Sequence, residues 1–226
     1  MINQNVFWVV NPDSLFAQWA RKARIQMFRQ LELLVDFVTV EQVLDVGVTS
    51  ERDRVETNIF EEYYPFKNRV TALSPQDASW IEETWSGMKY VHGNGCEMPF
   101  ADNQFDLVVS FAVIEHIGSL ENQKKFLAEC VRVAQKYVFI ATPNRYYPIE
   151  FHTVLPLIHW LPKSIHRKIL KFFRYDFFAE ETNLNLLSKQ SLTQICQELK
   201  IKTYQIRYIR FFGLKSNLLL FIEKND

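Results

Sequence analysis

The chain is short of the residues that most often announce a function. Only six glycines occur in 226 residues, and Gly47, in the stretch "LDVGVTS" (residues 44–50), has no second glycine close behind it. A polyphosphate cradle needs several glycine-freed backbone N–H groups at a helix start. Here Val48, Thr49, Ser50, Glu51, Arg52 and Asp53 follow, with two carboxylates and no lysine at the phosphate-loop position. NAD, FAD and ATP are disfavoured on that ground, whereas a compact ligand without phosphate is not. The three cysteines, Cys96, Cys130 and Cys196, are widely spaced and odd in number. They fit neither a disulfide framework nor a zinc site and suit a reducing, cytoplasmic setting. An excess of one charge is missing too: 26 basic residues balance 26 acidic ones, so nothing global attracts nucleic acid or an acidic partner. No uncharged run approaches the roughly 18 apolar residues of a membrane span. The N-terminus lacks the basic start, apolar centre and small-residue cleavage site expected of a secretion signal.

What is present is alternation. The length suits one domain with appendages. Leu15, Phe16, Trp19, Ile25, Phe28, Leu31, Leu34 and Val35 recur at mostly three- and four-residue intervals, which predicts an amphipathic helix and makes residues 1–40 an N-terminal helical cap. Short apolar strands are predicted at 42–47, 69–73, 88–93, 105–110 and 136–144. Helical patterns fall between them: a weak one around 51–63, one starting at Ser74-Pro75, and a strong one at 121–134. Strands alternating with helices build a parallel sheet through right-handed crossovers. Residues 145–186, rich in aromatics and proline, break the rhythm. A helix at 191–200 then precedes two strands near 202–210 and 218–223, separated by "FFGLKSN". The expectation is an α/β, doubly wound, mostly parallel seven-stranded sheet ending in an antiparallel hairpin. In such a sheet ligands bind at the carboxyl ends of the strands, beside the loop at Gly47.

The segment "GNGCEMPFADNQFDLVVSFAVIEHI" (93–117) resembles the stretch that class I S-adenosylmethionine-dependent methyltransferases of the small-molecule type write as G-D-A-x-x-L-P-F-x-D-x-x-F-D-x-V, followed by an E-H pair. The match is in register from Gly93 to Ile117. The resemblance implies a Rossmann-like fold, S-adenosylmethionine as cofactor, and methyl transfer to a small-molecule, glycan or lipid-linked acceptor. Matched residue by residue, it puts Asp45, Gly47, Val48, Thr49 and Ser50 at the methionine end. Ser74 stands near the ribose, Asn94, Gly95 and Cys96 face adenine, and Ser110, Phe111 and Ala112 form the floor. "TPNRYYPIEFHTVLPLIHWLP" (142–162) is similar to a bacterial subgroup of the same family. Three departures stand out: the later loop glycines are absent, Ser74 and Gln76 stand where a ribose-binding acid is usual with Asp77 about a turn late, and Asn94 replaces an aspartate. Its carboxamide oxygen still accepts a hydrogen bond. A non-catalytic binding or regulatory protein on the same core is the alternative.

Glu115 and His116 form a candidate acid–base pair, or else brace the loop after the fourth strand; His152 is a second candidate base. His152, His159 and His166 recur every seven residues, but Pro156 and Pro162 interrupt any shared helix face and no carboxylate joins them at ligand spacing. No metal site is expected there. Cys96, with no cationic neighbour in sequence, reads as a filler of a small slot. Residues 151–175 hold five Lys or Arg, several aromatics and no acid, and read either as a substrate lid or as a surface for anionic lipid.

Overall fold

The computed structural model describes residues 14–52 and 57–224. Residues 1–13 of the expected cap and residues 53–56 of the first loop, Asp53 among them, lie outside the described part. Ser14 opens helix α1 (Leu15–Glu32) by accepting the Ala17 N–H, and Ala23, Met27, Phe28 and Leu31 form its buried face. Leu15, expected on that face, is 66% exposed at the first turn.

Strand β1 (Val43–Val46) is buried along its whole length. It lies between β2 (Val70–Ser74) and β4 (Phe105–Phe111), both parallel to it. Continuous apolar strands of this kind are what a sheet covered on both faces requires. Strand β3 (Lys89–His92) closes one edge beside β2. On the other side β5 (Ala134–Pro143) pairs parallel with β4, and β7 (Leu214–Glu223) runs antiparallel between β5 and β6 (Tyr204–Phe211). The order is β3-β2-β1-β4-β5-β7-β6, the mixed seven-stranded sheet that the sequence led us to expect. The final connection is tighter than "FFGLKSN" suggested: only Phe212 and Gly213 separate the strands, both at positive φ, as a primed two-residue hairpin turn demands.

Helices α2 (Ile59–Tyr63) and α3 (Trp80–Thr84) are both shorter than expected. Ser74-Pro75 does not start a helix. The Ser74 hydroxyl instead accepts the Gln76 N–H at 3.2 Å, so residues 74–76 form a turn at the end of β2, and α3 begins six residues later. Helices α4 (Leu120–Val133) and α7 (Lys189–Glu198) cover one face of the sheet through Phe126, Leu127, Ile195 and Cys196. Helices α1 and α2 cover the other through Phe28, Leu31, Phe60 and Tyr64.

Two polar anchors fix the loops. Asp106 accepts the N–H groups of Glu41 and Gln42 at 2.8 and 3.1 Å and pairs with Lys136 at 2.9 Å, tying the start of β1 to β4 and β5. Arg132, on α4, donates to the carbonyls of Met98 and Phe100 and to Asp102. It thereby clamps the loop that carries the "MPFAD" residues.

The segment 145–186 holds an antiparallel bridge between Ile149 and Pro156, helix α5 (Lys163–Phe172) and the short α6 (Asp176–Ala179). Leu170, Phe178, Ala179, Leu184 and Leu186 give it a small core of its own. Among the described residues no helix is long and apolar enough to cross a membrane.

Candidate functional site

A cavity of about 290 Å³ opens where β1, β2 and β4 end, the position that parallel sheets reserve for ligands. Its walls include Val46, Leu73, Val113 and Phe126 on the apolar side, and Thr49, Ser74, Gln76 and Asn94 on the polar side. Arg24 reaches it from α1, and His116 and His152 stand together in its wall.

Of the residues singled out from sequence, Gly47, Val48, Thr49, Ser74, Asn94, Gly95, Ala112 and His116 line this cavity. Gly47 sits at φ +96°, and a Cβ there would lie 2.4 Å from Val113. The glycine is required by the close approach of the loop after β4 as well as by its own backbone. Gly95 is packed in the same way, since a Cβ would meet Phe126 at 2.7 Å. Ala112 holds a left-handed backbone at φ +58°, a conformation that costs an L-residue free energy and is found at ligand sites. The Asn94 carboxamide oxygen accepts the Cys96 N–H at 2.9 Å, which leaves it one further lone pair for a ligand.

The other residues lie elsewhere. The buried Ser110 hydroxyl donates to the Val46 carbonyl at 2.8 Å and joins β1 to β4. Phe111 stacks on Phe60. The Cys96 thiol turns toward the Asn122 carbonyl, and burial pushes its pKa up. Ser50 donates to Gln76 at 2.9 Å and accepts from the Trp80 indole, so it shapes the cavity through Gln76. Asp45 faces a narrow side cavity of about 30 Å³ together with Arg24, Asn58, Glu61 and Phe111. Burial, and then the charge of Glu61, raises the Asp45 carboxyl well above its ordinary value. Asp77, exposed, accepts the Ser79 N–H at 3.0 Å and does not line the cavity, whereas Ser74 and Gln76 do.

At the other end of the cavity the two imidazoles meet. His116 Nε2 and His152 Nε2 are 3.1 Å apart, with the rings nearly perpendicular. His116 Nδ1 donates to the Asn183 carbonyl at 2.7 Å, and His152 Nδ1 donates to the Glu150 carboxylate at 2.6 Å. Glu150 also accepts the His152 and Thr153 N–H groups and the Thr153 hydroxyl. Burial alone would raise its pKa, but the His152 charge and these hydrogen bonds outweigh it and hold the carboxyl at about 2. For His152, burial acts downward and Glu150 prevails, raising the pKa. For His116, burial and then the His152 charge push the pKa down to about 3. Glu115 is fully buried and accepts the Thr142 hydroxyl at 2.9 Å through Oε2, and burial raises its pKa. It does not line the cavity, though one carboxylate oxygen and a nitrogen from each histidine lie within 4.8 Å of one another. His159 and His166 belong elsewhere, around Tyr147 and Arg145.

Sequence reasoning passed over Arg24, Val113 and Phe126. Arg24 carries no motif, and only folding brings α1 to the ends of the strands.

With this geometry in view, the likenesses to known proteins are informative. Residues 44–141 match the family described as Methyltransferase domain. A Mycolicibacterium smegmatis protein named a probable S-adenosylmethionine-dependent methyltransferase is 45% identical over 56 residues, covering 24% of this chain and 21% of that protein. A Mycobacterium tuberculosis protein of the same description is 33% identical over 67 residues, covering 29% and 23%. The matched stretches thus span under a quarter of these relatives' own lengths. Among solved structures, an S-adenosylmethionine-dependent methyltransferase from Aquifex aeolicus superposes with a TM-score of 0.57 at 16% identity, over 95% of this chain and 98% of that one. The 1,6-didemethyltoxoflavin-N1-methyltransferase of Burkholderia thailandensis, solved with its substrate and S-adenosylhomocysteine, gives 0.58 at 14% identity, over 95% and 80%. The sheet order, the ligand-side cavity and the family match agree: the chain has the Rossmann-like fold of the S-adenosylmethionine-dependent methyltransferases it superposes on, and residues 44–141 within it match a methyltransferase domain.

Proposed function

We propose that the protein binds S-adenosylmethionine in the 290 Å³ cavity and transfers its methyl group to an acceptor oxygen presented at the His116–His152 end. The observation that carries this reading is the meeting, in one cavity at the strand ends, of the Gly47 loop, the Asn94–Gly95 turn and the paired imidazoles. The residues fit a ligand without phosphate. Asp45 and Glu61 lie beneath the Gly47 loop, where they suit an ammonium and repel a phosphate, and Arg24 lines both cavities and suits a carboxylate. Ser74, Gln76 and Asn94 offer hydrogen bonds to ribose and adenine, and Leu73, Val113 and Phe126 offer the apolar slot. The cofactor supplies an activated methyl on a sulfonium: the acceptor's lone pair forms the new bond to carbon, the C–S pair returns to sulfur, and the acceptor's proton leaves to water. The protein contributes position and the exclusion of water.

His116 is tied through Nδ1 to a carbonyl, so its Nε2 keeps the lone pair and can orient an acceptor hydroxyl. The neighbouring Glu115 is fixed by the Thr142 hydroxyl. His116→Ala is expected to lower turnover while leaving cofactor affinity within about twofold; equal loss of both would assign His116 to the fold alone. Calorimetric titration with S-adenosylmethionine and S-adenosylhomocysteine is the primary test, and no measurable heat at millimolar ligand would sink the enzyme reading in favour of a non-catalytic relative.

The segment 145–186 serves as the acceptor-side lid, since it delivers His152 to the cavity wall. A peripheral membrane contact by the same segment is favoured by one observation. Ile165, Lys168 and Phe172 follow one another at helical spacing on the outside of α5, with Trp160, Leu161 and Phe173 beside them, and the five apolar side chains are all exposed. Arg167 and Lys171 pair with Glu181 and Glu180, so apolar insertion carries more of such a contact than charge does. Co-sedimentation with phosphatidylglycerol vesicles, lost on Ile165→Glu and Phe172→Glu, is the expected result. A glycan or lipid-linked acceptor suits that placement.

A further inference from the structure

We propose that Glu115, His116 and His152 bind one divalent transition-metal ion at the acceptor end of the cavity, and that this ion holds the acceptor oxygen. The donor set follows from hydrogen-bond accounting. A carbonyl oxygen only accepts, so the contact from His116 Nδ1 to the Asn183 carbonyl requires the hydrogen on Nδ1. The Glu150 carboxyl already takes two N–H groups and a hydroxyl, and its 2.6 Å contact with His152 Nδ1 places a hydrogen on that nitrogen as well. With Nδ1 donating in both rings, the two Nε2 atoms are left to face each other, 3.1 Å apart. A shared proton or a shared cation holds two such nitrogens together, and the unpartnered Glu115 oxygen in the same cluster selects the cation. Nitrogens that share one zinc-like ion at about 2.0–2.1 Å stand roughly 2.9–3.3 Å apart for ligand angles between square and tetrahedral. The observed spacing falls inside that interval.

A third donor is at hand. Glu115 Oε1 is fully buried without a hydrogen-bond partner, a costly state for a carboxylate and one that a cation relieves. Two imidazoles and one carboxylate form the ligand set of catalytic zinc and of non-haem iron sites, which leave coordination positions for a substrate. The supporting contacts are those that metal sites use: a carboxylate on the far nitrogen of one ring and a backbone carbonyl on the far nitrogen of the other. The ligands come from two places in the chain, the turn after β4 and the bridge region after β5. That is why their spacing in sequence gave no metal signal. The ion's role toward an acceptor rests on the methyltransferase reading, whereas the binding itself does not.

Cobalt(II) provides the test, because it occupies such sites and reports them by visible absorption. Chelator-treated wild type titrated with Co²⁺ is expected to saturate at about one equivalent per chain with bands of a nitrogen- and oxygen-ligated ion. His152→Ala and Glu115→Gln each weaken binding at least tenfold, and Glu150→Gln, which only positions His152, weakens it by about 10–100-fold. His159→Ala binds as wild type. Melting curves and S-adenosylmethionine calorimetry on every variant separate loss of ligand from loss of fold. Wild type that binds S-adenosylmethionine but takes up no cobalt overturns the metal site and spares the methyltransferase reading. Cobalt uptake without S-adenosylmethionine binding does the reverse. Unchanged cobalt binding by the folded His116→Ala/His152→Ala double variant also overturns the site.

Discussion

Gly47 shows how much one position can decide. Its positive φ and the Val113 methyls closing over it mean that Gly47→Ala strains the backbone and pushes the β4 loop outward at once. A destabilisation of about 1–3 kcal/mol is expected, read as a lowered urea midpoint, with weaker S-adenosylmethionine binding in the same variant. The need for glycine here was legible in the sequence, but the reason was not. Sequence suggested approach to a ligand, whereas the nearest atoms belong to Val113, some 66 positions further along the chain. Ser110 and Phe111 teach a related lesson. A motif places them at the strand end, yet strand geometry turns successive side chains to opposite faces, and these two serve the sheet and the α2 side rather than the main cavity.

At the scale of elements, the polar anchors matter as much as the apolar strands. Burial would raise the Asp106 carboxyl, but the hydrogen bond from Lys136 and the N–H groups of Glu41 and Gln42 outweigh it and hold the pKa below the usual aspartate range. A depressed folded pKa stabilises the protein where the group is ionised in both states, above about pH 4, and that stability is lost as pH falls through the folded value. Asp106→Asn is therefore expected to cost about 1.5–3 kcal/mol near neutrality. The gap between mutant and wild-type melting temperatures should shrink below about pH 4. Arg132→Met releases the Met98 and Phe100 carbonyls and is expected to lower the melting temperature by about 2–4 °C for each kcal/mol lost, with weaker cofactor binding because Asn94 and Gly95 lead into the same loop. The strands were readable because buried parallel strands demand continuous apolar runs. The short helices were not: α3 is little more than one turn, below the length at which periodicity can speak, and Ser74-Pro75 supplied a start signal that the Ser74 turn uses instead.

For the molecule as a whole, the cavity belongs to no single stretch. It draws on α1, on the ends of β1, β2 and β4, and on the segment after β5. A ligand that binds only the folded state stabilises it by RT ln(1 + [L]/Kd), about 2.7 kcal/mol at a hundredfold excess over Kd. S-adenosylmethionine and S-adenosylhomocysteine should accordingly raise the melting temperature in a concentration-dependent way, and NAD(H) and NADP(H) should not. A shift with the dinucleotides instead would point to a reductase. Fold class, sheet composition and the cavity lining around Gly47 and Asn94 were open to reading because they rest on local pattern and an in-register motif. His116 and His152 could each be singled out, but not their meeting, which only the fold brings about.

That meeting has a consequence for how the protein can diverge. Asn183 accepts from His116, the Asn185 N–H donates to the Glu115 carbonyl, and the Asn185 carboxamide donates to the Gly118 carbonyl, so the segment 145–186 is stitched to the turn that holds the other imidazole. Such a segment is not an exchangeable module. Transplanted onto a sister core it would bring one histidine and leave its counterpart behind, and grafted loops from a sister would strand His116 in the same way. On the proposed methyltransferase reading, new acceptors are then reached by paired changes on both sides of the seam, or by changes along the rim that leave the seam alone.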